Sequence, residues 1–182
     1  MVKCVVGSWG SYVACNSRAL GSSWLDFSDF ESFQGIKDKL ILEGFQLEGI
    51  DEELFIQDLE GLPGDCFNCD YMHPETIFNV LHASGVLSCD YLYEVMIAFL
   101  EVRSWSEFVE RVENHGASWA DDIILHPGSS IEDVARDYFY DSYSKEVRDV
   151  IESLDWYIDF ERWGRSNLEY AEEYSGGIIE IF

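Results

Sequence analysis

The chain has 182 residues, 36 acidic and 11 basic, for a formal charge of −25, yet 47% of it is hydrophobic. That apolar content separates it from acidic disordered chains and supports a buried core over one to one and a half domain lengths. The charge excludes nucleic-acid binding through a basic surface and attachment to anionic membranes. No run approaches 18 apolar residues, and the run Cys4–Val6 is too short for a secretory signal. Five cysteines without a dense framework fit a reducing cytoplasm.

Residues 1–61 open on a hairpin-like pattern. Tyr12–Cys15 and Trp24–Phe27 are strand-prone, with Asn16, Ser17 and the Gly21-Ser22-Ser23 cluster as the turn between them. Cys4 and Cys15 are expected to fill this sheet. A helix follows around Phe33, Ile36, Leu40 and Ile41 and stops near Gly44. Leu54-Phe55-Ile56 reads as a third strand, and Gly61-Leu62-Pro63-Gly64 marks a boundary.

Residues 62–115 read as a small helical bundle. Pro74 suits the first position of a helix ending by Gly85. Tyr91, Leu92, Val95, Met96, Phe99 and Leu100 recur at helical spacing. Ser104 and Glu107 form a capping box that opens a third helix, with Phe108, Val109 and Val112 on its buried face.

Residues 116–182 return to a mixed pattern. Ile123-Ile124-Leu125 is a short strand before Pro127-Gly128. Ser129 and Ser130 precede Glu132 and Asp133 as a doubled capping signal, and Ile131, Val134, Ala135, Tyr138 and Phe139 make one apolar stripe. A helix around Val147, Val150, Ile151 and Leu154 follows, Asp159 caps another, and Gly176-Gly177 turns into a last strand, Ile178–Phe182. The fold class expected is α+β, in three parts.

The charge is spread over all three parts, at −7, −7 and −11. An acidic tail would concentrate it instead. On the helix after Ser130, Asp133, Asp137 and Asp141 recur every fourth residue. Four residues at 1.5 Å rise set their carboxylates roughly 6 Å apart, comparable to phosphate spacing along a nucleic-acid strand. Like charges at this spacing cost a helix a few tenths of a kcal/mol each. The next helix alternates signs instead, with Lys145 before Asp149 and Arg148 before Glu152. The bland reading of one such helix is a solvated face. A whole chain at −25 calls for more than that.

Two rival chemistries are weaker. Cys66-Phe-Asn-Cys69 is a single C-x-x-C, with His73, His82 and Cys89 downstream as candidate zinc partners, but no second pair completes a site. Asp121-Asp122 with His126 could hold Mg²⁺, yet such doublets are frequent among 36 acids. No phosphate loop, nucleophile elbow or Cys/His nucleophile pattern is present, so neither a catalytic site nor a cofactor is expected.

Tyr12-Val-Ala-Cys15, Leu20-Gly21 and Trp24, then Leu54–Gly61, resemble the N-terminal part of the ArdA antirestriction proteins. The resemblance is strongest in Asp122–His126, Asp133–Tyr138, Tyr157–Arg165 and the final Ile178–Phe182. It implies an elongated, dimeric DNA mimic with three small subdomains, at 1–61, 62–115 and 116–182, that occupies the DNA groove of a type I restriction–modification enzyme. Twenty-five charges then correspond to roughly 40 Å of duplex. The carboxylates expected to face the target are Asp121, Asp122, Glu132, Asp133, Asp137, Asp141, Glu152, Asp155, Asp159, Glu161, Glu169, Glu172 and Glu173. Two copies at −25 repel, so an apolar interface is expected at Ile123, Ile124 and Leu125 or near Trp119. A CRISPR (Cas) nuclease is the alternative target, since its channel is basic for the same reason. A zinc-stabilised acidic adaptor is the alternative of another class.

Overall fold

The structure, a computed structural model, describes residues 1–63 and 73–182. Its contacts divide the chain into two units, Met1–Ala120 and Asp121–Phe182. Both mix helices with an antiparallel three-stranded sheet, an α+β arrangement.

In the first unit the central strand of the sheet is β1 (Lys3–Ser8), flanked by β2 (Leu25–Asp26) and β3 (Leu54–Glu60). The short apolar run near the N-terminus is therefore the innermost strand. Cys4 and Val6 are fully buried, and burial pushes the Cys4 thiol up to about 12. The segment Tyr12–Cys15 is not a strand. Helix α1 (Trp9–Val13) takes its first half, because the Ser8 hydroxyl accepts from the Ser11 N–H and caps a turn there. Cys15 is exposed, outside the sheet, at a φ of 49°.

Helix α2 (Phe33–Leu42) is followed by Gly44, whose φ of 92° provides the left-handed stop. Pro74 opens α3 (Pro74–Ala83), which α4 (Asp90–Val102) and α5 (Trp105–His115) follow. The Ser104–Glu107 capping box forms as expected. The turn after β2 and the helices share aromatic contacts, with Phe27 and Phe33 both against Phe78 of α3. Trp119 is fully enclosed, edge-on to Phe99 and Phe108, and its indole N–H donates to the Ser84 carbonyl at 3.0 Å.

In the second unit β4 (Ile123–Pro127) is followed by α6 (Ile131–Asp141), α7 (Lys145–Ile151), a 3-10 segment (Glu152–Tyr157) and α8 (Phe160–Asn167). Two strands close it, β5 (Ala171–Tyr174) and β6 (Gly177–Ile181). The sheet order is β4-β6-β5, so the final strand lies in the middle. Strand β5 is absent from the sequence expectation; its run Ala-Glu-Glu-Tyr lacks the apolar alternation that marks a strand. The stripe of α6 is real: Ile131 and Val134 pack on Ile178. Helix α8 crosses α6 closely at Gly164, where an added Cβ would meet the Ala135 Cβ at 2.7 Å. Phe139 gathers Phe160 and Trp163 edge-on, at 5.5 Å each.

Candidate functional site

Residues Asp121–Phe182 hold sixteen acids and five bases, a net −11. Eleven of the thirteen expected target-facing carboxylates are exposed; Asp155 and Glu172 are half-buried. They are distributed over the start of β4, over α6, the 3-10 segment and α8, and around β5. No single cleft gathers them.

They differ in what they already hold. Asp133 and Asp159 are caps: Asp133 closes a capping box with Ser130, and Asp159 accepts from the Arg162 N–H. Hydrogen bonds from the Ser130 side chain and backbone hold the Asp133 carboxyl below its ordinary range. Arg136 reaches Glu132 at 3.0 Å and Asp155 at 3.8 Å. Asp155 also accepts from the Tyr140 hydroxyl at 2.6 Å; that bond and partial burial push the phenol up to about 12. Arg148 pairs with Asp141 at 3.3 Å. Arg165 lies between Glu161 at 3.1 Å and Glu173 at 2.9 Å, and both hold its guanidinium more firmly protonated.

The side chains of Asp121, Asp137, Glu152 and Glu169 carry no hydrogen bond or ion pair among the described residues. The row Asp133–Asp137–Asp141 lies on α6 as the spacing predicts, but it is not three equivalent charges. Its first member caps the helix and its last is paired. Exposed pairs are worth about 0–1 kcal/mol, so a partner's cations can exchange into most of them at small cost.

Within the second unit one carboxylate outside the thirteen is buried. Glu180 on β6 accepts from the Tyr138 hydroxyl at 2.8 Å and meets His126 Nε2 at 3.1 Å. Burial, and then this carboxylate, push the Tyr138 phenol up to about 12. The sequence did carry a signal, since Glu180 continues the inward alternation of Ile178.

The expected dimer residues separate. Trp119 has no surface to offer a partner, because its ring and its N–H are consumed inside its own unit, and Ile123 is likewise buried. Ile124 is exposed and Leu125 half-buried, on the edge strand β4.

Of the zinc candidates, Cys66 and Cys69 lie outside the described residues. His73 caps α3, its Nδ1 accepting from the Glu75 N–H at 3.2 Å, and His82 stacks on Phe78. Cys89 is exposed at the start of α4. Among the described residues no three His, Cys, Asp or Glu side chains are gathered to hold a metal ion. The Mg²⁺ candidate is reduced by His126, which turns to Glu180. Nor is any helix among them long and apolar enough to cross a membrane.

No curated protein matches the chain. The family described as antirestriction protein (ArdA) matches residues 5–180, which covers the first sheet except Lys3 and Cys4, the helices and all but the last residue of β6. By that match the chain belongs to the ArdA antirestriction family.

Proposed function

We propose that the protein is a DNA mimic that inhibits a type I restriction–modification enzyme by occupying its DNA-binding groove, without catalysis, as a homodimer in the bacterial cytoplasm. Membership in an antirestriction family makes restriction–modification enzymes the partner class. The observation that carries the mimicry is the exposed acidic face of Asp121–Phe182, net −11 and spread over nearly every element of the unit. Duplex DNA presents one charge per about 1.7 Å, and a groove lined with Lys and Arg reads that field before it reads any base. Carboxylates held on folded elements offer the same field without a base sequence. The target's cations then pair with Asp121, Asp137, Glu152 and Glu169 directly and compete for the others.

The test is competition. Cleavage by a purified type I enzyme is followed while protein and DNA are titrated against each other. Inhibition relieved in proportion to added DNA supports the reading, whereas inhibition that DNA does not relieve places the contact away from the groove. Potent block of a Cas nuclease with no effect on the type I enzyme would move the target to the CRISPR class. A gel shift of labelled duplex at low salt should show no complex with the protein itself.

A further inference from the structure

We propose that a small cavity beside the end of β6 seats one arginine side chain of the enzyme this protein inhibits. The cavity, of about 120 Å³, is lined by Tyr138, Tyr170 and Phe182, with Leu168, Glu169 and Glu180 beside them. Backbone bonds fix its walls. The Ile181 N–H donates to the Tyr170 carbonyl at 3.0 Å, and the Phe182 N–H to the Asp122 carbonyl at 3.1 Å. The rings of Tyr170 and Phe182, each about half exposed, then stand 5.4 Å apart. Leu168 belongs both to the cavity and to the core of Ile131, Val134 and Ile178.

Size and polarity choose the occupant. Sites for whole small molecules run to about 300–1,000 Å³, whereas about 150 Å³ holds a single benzene ring. A cavity of this size therefore takes one side chain. Its buried polar groups accept rather than donate. Tyr138 gives its hydroxyl proton to one Glu180 oxygen at 2.8 Å, and His126 Nε2 meets the other at 3.1 Å. A carboxylate has about four lone-pair sites, so Glu180, 3% exposed, keeps acceptor capacity. The Asn167 amide, also in the lining, donates to the Trp163 carbonyl at 2.8 Å. Two carboxylates and three ring faces, with no lysine or arginine in the lining among the described residues, repel a phosphate or carboxylate. Arginine meets every condition, being a planar, weakly hydrated donor that accepts no hydrogen bond and stacks on aromatic faces. Lysine, a compact and strongly hydrated charge, loses more on leaving water. Glu169 stands at the exposed rim and acts there as the other exposed charges do.

This inference rests on the DNA-mimic reading above, since a groove that holds DNA supplies such side chains, and the test separates the two. The full chain is titrated with propylguanidinium chloride at constant ionic strength while NMR follows the methyl signals of Leu168 and Ala171. Propylurea is the neutral control of the same shape. The expected result is a saturable shift with propylguanidinium and none with propylurea, lost in Glu180→Gln and in Phe182→Leu. Phe182→Leu keeps an apolar wall without a ring face, and Phe182→Tyr should restore binding. Circular dichroism reports whether each variant keeps its fold. Phe182 is half exposed, so its variants keep the test open where Glu180→Gln fails to fold. In the cleavage assay Phe182→Leu should raise the inhibitor concentration needed at least about ten-fold, while Phe182→Tyr matches the wild type. No saturable shift, or an equal one with propylurea, overturns the inference. Binding of propylguanidinium with full inhibition retained in Phe182→Leu also overturns it and leaves the DNA-mimic reading standing. Loss of inhibition in Phe182→Leu together with a changed oligomeric state in sedimentation assigns the rings to a contact between copies and overturns it too. Wild-type inhibition that added DNA does not relieve overturns the DNA-mimic reading and takes the inference with it, even where the probe binds.

Discussion

Asp51 and Glu180 hold carboxylates where water does not reach them, at 1% and 3% exposure. Burial alone would push Asp51 up. It is outweighed by the Gln46 N–H at 2.8 Å, the hydroxyls of Ser11 and Ser8, and the charge of Arg18, which together hold the carboxyl below its ordinary range. Asp51 therefore ties α1 and the end of β1 to the loop before β3. Asp51→Ala leaves two buried hydroxyls and a backbone N–H without their acceptor and should cost about 3 kcal/mol in urea unfolding. The sign of the pH dependence follows from the lowered value. The contribution is complete above the unfolded value near 3.9 and is lost as pH falls through the folded one. Acid unfolding below about pH 4 should accordingly be steeper in the wild type than in Asp51→Asn; equal slopes would show that Asp51 carries no linkage. Asp51 was not distinguishable in the sequence from its exposed neighbours, and Glu180 only by its place two residues after Ile178, because a carboxylate's burial is decided by donors brought from far along the chain, Ser8 for Asp51 and Tyr138 for Glu180.

Elements with a local cause were readable from sequence, and elements with a tertiary cause were not. Both capping boxes, the proline start of α3, the glycine end of α2 and the stripe of α6 are local signals, and each stands in the structure. Strand β1 was missed because a short apolar run has no period of its own until β2 and β3 pair on both sides of it. The segment Tyr12–Cys15 was misread because its aromatic and β-branched residues favour a strand, while Ser8 and the short loop favour a helical turn. Two substitutions check these local causes. Ser130→Ala removes half of the α6 capping box and should cost about 1 kcal/mol, with the loss confined to the second unit's hydrogen-exchange protection. Gly164→Ala forces a methyl against Ala135 where α8 crosses α6 and should cost about 1–3 kcal/mol. An unchanged melting point in Gly164→Ala would mean that the crossing yields without cost. The candidate site was readable only as composition. Its thirteen carboxylates could be named and all but two are exposed, but which of them are spent on caps and arginines depends on rotamers and on contacts such as Arg165 with Glu173.

At the scale of the molecule the charge acts as a field, and its parts should be weakly and separately felt. Exposed pairs contribute about 0–1 kcal/mol each, so Asp137→Asn alone should raise the inhibitor concentration needed by less than about five-fold. Asp121, Asp137, Glu152 and Glu169 are the right set to combine, because their side chains hold no hydrogen bond or ion pair among the described residues and none of those side chains caps a helix. Asp133 is a poor choice for this purpose, since its loss would mix a stability effect with a binding effect. Neutralising the four in succession should weaken inhibition by a similar factor at each step, with melting temperature unchanged. A contact inhibitor gives a different series, in which one variant abolishes activity and the other three match the wild type. Salt supplies the independent axis. Screening shortens the reach of every exposed pair to about 8–10 Å near physiological ionic strength, so affinity for the restriction enzyme should fall steeply between low and high salt. The quadruple variant should start weaker and fall less steeply, because fewer charges remain to be screened. If wild type and quadruple variant instead lose affinity in parallel, the salt dependence belongs to groups outside these four, and the acidic face of the second unit is not what the groove reads.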